Sequence, residues 1–114
     1  MADETTPGAE PAVAPDVLEE QVREALRSVI DPELGQNVVD LGLIYGIDVV
    51  GDHVNIVMTL TTPGCPASGY LERGVMERAW SVKGVGGVDV ELTWMPRWSP
   101  EMMSDEAKRR LGFA

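Results

Sequence analysis

The chain has 114 residues, the length of one domain, with 44% hydrophobic and 25% charged residues, so it can build a core and is not compositionally disordered throughout. Nine Lys and Arg against 19 Asp and Glu leave a net charge of −10, a field that repels nucleic-acid phosphates and anionic lipid. A single cysteine excludes an internal disulfide and any CxxC metal or redox pair. No apolar run is long enough to cross a bilayer and the N-terminus lacks the pattern of a signal peptide, so a cytoplasmic location is expected.

Residues 1–15 hold three prolines and three acids, with Val13 the only large apolar group besides the initiator methionine. They cannot offset their ordering entropy by burial, and read as a disordered acidic tail before a domain at 16–114. Much of the acidity sits there, since residues 1–20 contain six acids and no base.

A first helix is predicted from Asp16, with Asp16 and Glu19 at capping-box spacing, and an apolar stripe of Leu18, Val22, Ala25, Leu26 and Val29. Pro32 is its expected stop, because proline removes a donor and disfavours helical geometry at Asp31. Leu43 to Thr61 reads as a hairpin about Gly51-Asp52. That register pairs Val49 with Val54, Ile47 with Ile56, Tyr45 with Met58 and Leu43 with Leu60 on one apolar face.

A second helix is expected from about Ala67 to Lys83, with Leu71, Val75, Ala79 and Val82 on one side and Gly84 as the stop. Val88, Val90, Leu92 and Trp94 alternate with polar residues as a third strand. Met95 to Pro100 reads as a loop, and a last helix runs from Ser104 to Gly112, acidic first and basic last. The order is α-β-β-α-β-α. The expected fold is an α+β two-layer sandwich, a small, mainly antiparallel three-stranded sheet covered on one face by helices.

Cys65 sits in Pro63-Gly64-Cys65-Pro66, where a helix could begin. A thiol at a helix N-terminus is stabilised as thiolate, the form that ligates iron, carries sulfur or attacks an electrophile; the alternative is an inert buried cysteine. Asp31-Pro32-Glu33 sets two carboxylates on a stiff turn, as metal ligands, a proton-transfer pair or a docking handle, or as plain helix-end punctuation. Asp40 is placed to brace a turn through local side-chain bonds. His53, the only histidine, is expected to be exposed beside the hairpin turn. Trp94, Trp98, Met102 and Met103 suit a lid over the core or a partner-binding patch.

Three segments, DPELGQNVVDLGLIY at 31–45, VNIVMTLTTPGCP at 54–66 and WMPRWSPEMMSDEAKRRLG at 94–112, resemble the SufT-like small iron–sulfur cluster assembly domain family, which has PaaD-type maturation proteins as relatives. The resemblance extends from about residue 17 onward. It implies an α+β fold of this order and a role in supplying or inserting iron–sulfur clusters, for which a non-enzymatic maturation factor is the leading expectation. Its functional cysteine falls on Cys65 and its acid motif on Asp31 and Glu33. The chain departs from the family pattern at Met95 and Arg97, where an Asp and a second Pro are usual, and lacks the cysteine-rich C-terminal segment of the PaaD type.

Protein-bound clusters take four ligands, mostly cysteines, and one chain supplies one. The expectation is a transient cluster or iron at Cys65, shared across a homodimer or with a partner, and no stable cofactor. The expected partners are the assembly machinery and its apo-clients. The alternative is an adaptor that joins the two through the Trp94–Met103 surface, with Cys65 structural.

Overall fold

The computed structural model describes residues 14–61 and 68–113. The expected acidic tail, apart from its last two residues, and Cys65 lie outside the described residues.

Helix α1 spans Pro15–Leu26. It starts one residue earlier than expected, with Ala14 as N-cap and Pro15 in the first turn. Proline suits that place because its missing N–H would have no helical partner. Asp16 is therefore not the cap; its Oδ1 accepts from the Val17 amide at 3.0 Å, and its charge complements the helix dipole. The predicted stripe is real, with Leu18, Val22, Leu26 and Val29 buried. The helix nevertheless ends well before Pro32. Amides of Arg27, Ser28 and Val29 each reach back three residues, to Glu24, Ala25 and Leu26, which tightens the last turn. Ile30 then pairs with Asn37 as an isolated antiparallel bridge.

Strands β1 (Ile44–Val50) and β2 (His53–Met58) form the predicted hairpin, and Gly51 takes φ 64° at its turn. Near the turn the register is as expected, Val49 opposite Val54 and Ile47 opposite Ile56. Further along it shifts: Gly46 faces Val57 and Ile44 faces Met58, leaving Tyr45 as the extra residue of a bulge. Tyr45 thus does not pair with Met58, and Leu43 instead accepts from the Thr59 amide at 2.8 Å. A bulge re-aims the side chain it carries, and Tyr45 is used for that below.

Helix α2 (Ser68–Trp80) is shorter than the expected span and buries Leu71, Val75 and Ala79. Gly84 lies in the following turn at φ 98°. Strand β3 (Gly87–Leu92) ends before Trp94 and pairs with β2 in parallel, Val54 opposite Val88 and Ile56 opposite Val90. The sheet, in the order β1-β2-β3, is therefore mixed rather than mainly antiparallel. The physical reason is α2: a helix between two neighbouring strands carries the chain back to the end where it started, so the second strand runs the same way as the first.

Helix α1 lies on β1, α2 on β3, and the two helices touch. This is the two-layer α+β sandwich, with Ile47, Val54, Ile56, Met58 and Val88 facing the helices in one continuous core. The other face carries Asp48, Val50, His53, Asp89 and Glu91, all exposed. A single 3-10 turn at Pro100–Met102 precedes helix α3 (Asp105–Leu111), which begins and ends as expected. Ser104 caps it through the Ala107 amide at 3.1 Å, and Gly112 closes it at φ 86°.

Candidate functional site

Asp31 is buried, and its carboxylate is turned back into its own loop. Oδ1 accepts from the amides of Glu33 at 2.8 Å and Leu34 at 3.3 Å. Its backbone amide donates to Gln36 and its carbonyl accepts from Gly35, which has φ 71°. A short side chain that bonds to amides two and three residues ahead holds such a turn closed. Glu33 is exposed. The DPE segment thus divides its work: Asp31 fixes the turn and Glu33 presents a carboxylate to solvent.

Asn37 and Asp40 form a second polar knot. The Asp40 amide donates to Asn37 Oδ1, and Asn37 Nδ2 donates to Asp40 Oδ2, both at 2.8 Å. Arg27, just past α1, donates to Asp40 Oδ1 at 2.8 Å. Burial raises the Asp40 pKa, but the hydrogen bonds from Asn37 and Arg27, the Arg27 charge and the Ser104 hydroxyl outweigh it, so the carboxyl sits below its ordinary value. Arg27 is raised correspondingly, chiefly by its bond to Asp40. A carboxyl lowered by folding contributes stability above its unfolded pKa and loses it as pH falls through the folded one. Asp40→Asn is therefore expected to destabilise at pH 7. The difference from wild type should shrink below about pH 4 and vanish at still lower pH, as read from denaturant unfolding across the acid range.

The 40–45 segment also holds the tryptophan loop. The Asp40 carbonyl accepts from the Ser104 amide at 2.7 Å, and the Leu41 carbonyl accepts from Trp98 Nε1 at 2.7 Å. Tyr45, aimed by its bulge, donates to the Pro96 carbonyl at 2.7 Å, with Met102 Sδ 3.4 Å from its hydroxyl. Gly42, at φ 78°, lets Met102 approach so closely that an added Cβ would stand 2.3 Å from the Met102 carbonyl oxygen. The Met95–Pro96 peptide is cis. Two sequence segments about fifty residues apart are therefore one structural unit. Tyr45, Gly42 and Arg27 were not singled out from sequence for this role; the glycine flanked by leucines before a strand was the available signal.

This grip separates the four large apolar residues of the 94–103 stretch. Met103 is buried and Trp98 packs against the core, so these two act as a lid. Met103 is accordingly not part of an exposed partner-binding patch: its side chain is taken up by the core. Met102 is half-buried under Tyr45. Trp94 stays 38% exposed, and its neighbour Met95 80% exposed. Trp94, Met95 and Arg97 line a cleft of about 200 Å³ whose other wall is Leu60 and Thr61. Thr61 is the last described residue before the segment that carries Cys65, four positions further along the chain. Nearby, Thr59 is fully buried and its hydroxyl has no hydrogen-bond partner among the described residues.

His53 is exposed, as expected, but not isolated: Nε2 lies 2.7 Å from Asp89 Oδ2 across β2 and β3. Among the described residues, no group of three His, Cys, Asp or Glu side chains is placed to hold a metal ion. Among them, too, no helix is long and apolar enough to cross a membrane.

Comparison with known proteins agrees with this architecture. Residues 19–92 match the model of the iron–sulfur cluster assembly protein family. An Fe–S protein maturation auxiliary factor of Porphyromonas gingivalis is 50% identical over 96 residues, covering 83% of this chain and 91% of that one. The Fe–S protein maturation auxiliary factor SufT of Staphylococcus aureus is 40% identical over 87 residues, covering 75% and 99%. A crystal structure of a domain of unknown function from Bacillus anthracis superimposes with a TM-score of 0.82 at 36% identity, covering 88% and 96%. The chain belongs to the iron–sulfur cluster assembly protein family. Within it, the chain is similar to the SufT-type maturation auxiliary factors over most of its length.

Proposed function

We propose that the protein is a non-enzymatic maturation factor that helps deliver or insert iron–sulfur clusters into apo-proteins, with Cys65 as a transient ligand or sulfur carrier. The observation that carries this reading is the family match over residues 19–92 in a chain with one cysteine. A cluster requires about four protein ligands, so a single thiolate holds cargo only together with others. Two copies contributing Cys65 each supply two of those ligands, and a partner of the assembly machinery or a client supplies the rest. Incomplete ligation by each donor favours release to a client over retention. Asp31 supports the site by closing its turn, which leaves the Glu33 carboxylate free to hydrogen-bond or dock.

The second reading is an adaptor that joins the assembly machinery to clients through the Trp94–Met103 segment. It is favoured by the exposure of Trp94 and Met95 on a loop that the Pro96 carbonyl and Trp98 Nε1 tether to Tyr45 and Leu41.

Deletion of the gene is expected to lower the activity of iron–sulfur enzymes in extracts, normalised to their protein levels, and to spare cluster-free enzymes. Unchanged iron–sulfur enzymes in both iron-poor and iron-replete growth would contradict both readings.

A further inference from the structure

The cleft between the end of β2 and the tryptophan loop is built for more than packing. Its apolar lining comes from Leu60, Trp94 and Met95, and the exposed Arg97 lines it too. Arg97 has no ion-pair partner among the described residues. Trp, Met and Arg are the residue types enriched where proteins meet.

The exposed wall is also held in place. The Thr93 amide donates to the Met58 carbonyl, the Pro96 carbonyl accepts from Tyr45, and Trp98 Nε1 donates to Leu41. These three tethers fall within six residues and bracket Met95 and Arg97. A wall already ordered spares a ligand the cost of ordering it.

We infer that this cleft is a docking site for an extended acidic–apolar peptide segment of a partner protein, its apolar side chain seated against Trp94 and Met95 and its carboxylate paired with Arg97. The local charge at Arg97 selects the partner, against a net charge of −10 of which residues 1–20 carry six acids and no base. A guanidinium with no ion-pair partner among the described residues, beside apolar walls, favours an anion over a neutral or basic segment, and its planar fork suits a carboxylate. The volume, about 200 Å³, suits one large side chain. In an extended segment, residues two apart share a face, so the apolar and acidic residues stand at positions one and three. The inference rests on the reading that the Trp94–Met103 segment meets clients, and gives that contact its chemistry.

The test uses the full chain and three fluorescein-labelled Gly-Ser octapeptides with central Leu-Ser-Glu, Leu-Ser-Gln or Ser-Ser-Glu, read by fluorescence anisotropy at low salt. Leu-Ser-Glu should bind saturably, and each control about fivefold more weakly or worse. Arg97→Gln should bring the Glu and Gln probes to equal affinity, and Met95→Asp should remove binding of all three. Both positions are exposed, so circular dichroism should show both variants folded.

Equal affinity of wild type for the Glu and Gln probes, or no saturable binding, would overturn the inference. So would a wild-type dimer in sedimentation that Met95→Asp dissociates, since a second copy would then fill the cleft. None of these readouts involves iron–sulfur enzymes, so failure here and failure of the maturation reading are separately visible.

Discussion

Gly42→Ala is expected to destabilise the protein by about 2–5 kcal/mol, more than an alanine at Gly35, Gly51 or Gly112, where an added Cβ meets nothing within 4 Å. Two costs add. At φ 78° a side chain enters the left-handed region, which costs roughly 1–2 kcal/mol. The new Cβ would also lie 2.3 Å from the Met102 carbonyl oxygen and 2.8 Å from its carbonyl carbon. Those are backbone atoms, so the Pro100–Met102 turn must move, at a cost of about 1–3 kcal/mol as for other overpacked sites. Gly51 supplies the control, since its φ is 64° but an added Cβ would meet nothing within 4 Å. Gly51→Ala should therefore show the conformational cost alone. By thermal unfolding, Gly42→Ala should fall by roughly 10–20 °C and Gly51→Ala by less than half of that. Equal losses would mean that the 40–45 segment does not grip the tryptophan loop as described.

That grip is also where sequence reasoning stopped. The hydrophobic patterns located α1, α2 and the three strands, because burial on one face imposes a period of 3.6 or 2 whatever the tertiary context. Val22, Leu26, Ile47, Ile56, Leu71 and Val75 were all legible on that ground, and all are buried. Ser104 and Gly112 were legible too, because a cap is a local interaction within one turn. The pairing sense of the third strand was not: the alternation in Val88, Val90 and Leu92 is the same for both, and whether that strand lies beside β2, where it runs parallel, or beside β1, where it would run antiparallel, is a matter of tertiary strand order. The bulge at Tyr45 was hidden for a related reason. A period-2 pattern registers which face a residue occupies and not an extra residue that slips the ladder.

The candidate site was legible by residue type more than by arrangement. Asp31-Pro32-Glu33 named two acids, but one is buried in its turn and the other exposed, a difference set by the amides of Glu33 and Leu34. The tryptophan stretch looked like one feature. It is two, a lid formed by Trp98 and Met103 and an exposed wall formed by Trp94, Met95 and Arg97. The tethers that divide them run to Leu41 and Tyr45, 57 and 51 residues away from their partners, a distance at which no local pattern operates.

Cys65→Ser is the other change with a large expected effect, and on the proposed maturation role that effect falls on function. Serine nearly matches the size of cysteine, but its hydroxyl stays protonated at neutral pH and is a poor ligand for the iron of a cluster. It cannot carry sulfane sulfur at all. The adaptor reading predicts the opposite, because an exposed Trp94 and Met95 are untouched by the exchange. The decisive measurement is rescue of a deletion strain by wild type or Cys65→Ser at matched abundance, with iron–sulfur enzyme activity normalised to enzyme protein. The maturation account predicts that Cys65→Ser leaves those activities at the deletion level while the wild-type gene restores them. Full restoration by Cys65→Ser would contradict it, and would move the function to the wall formed by Trp94, Met95 and Arg97.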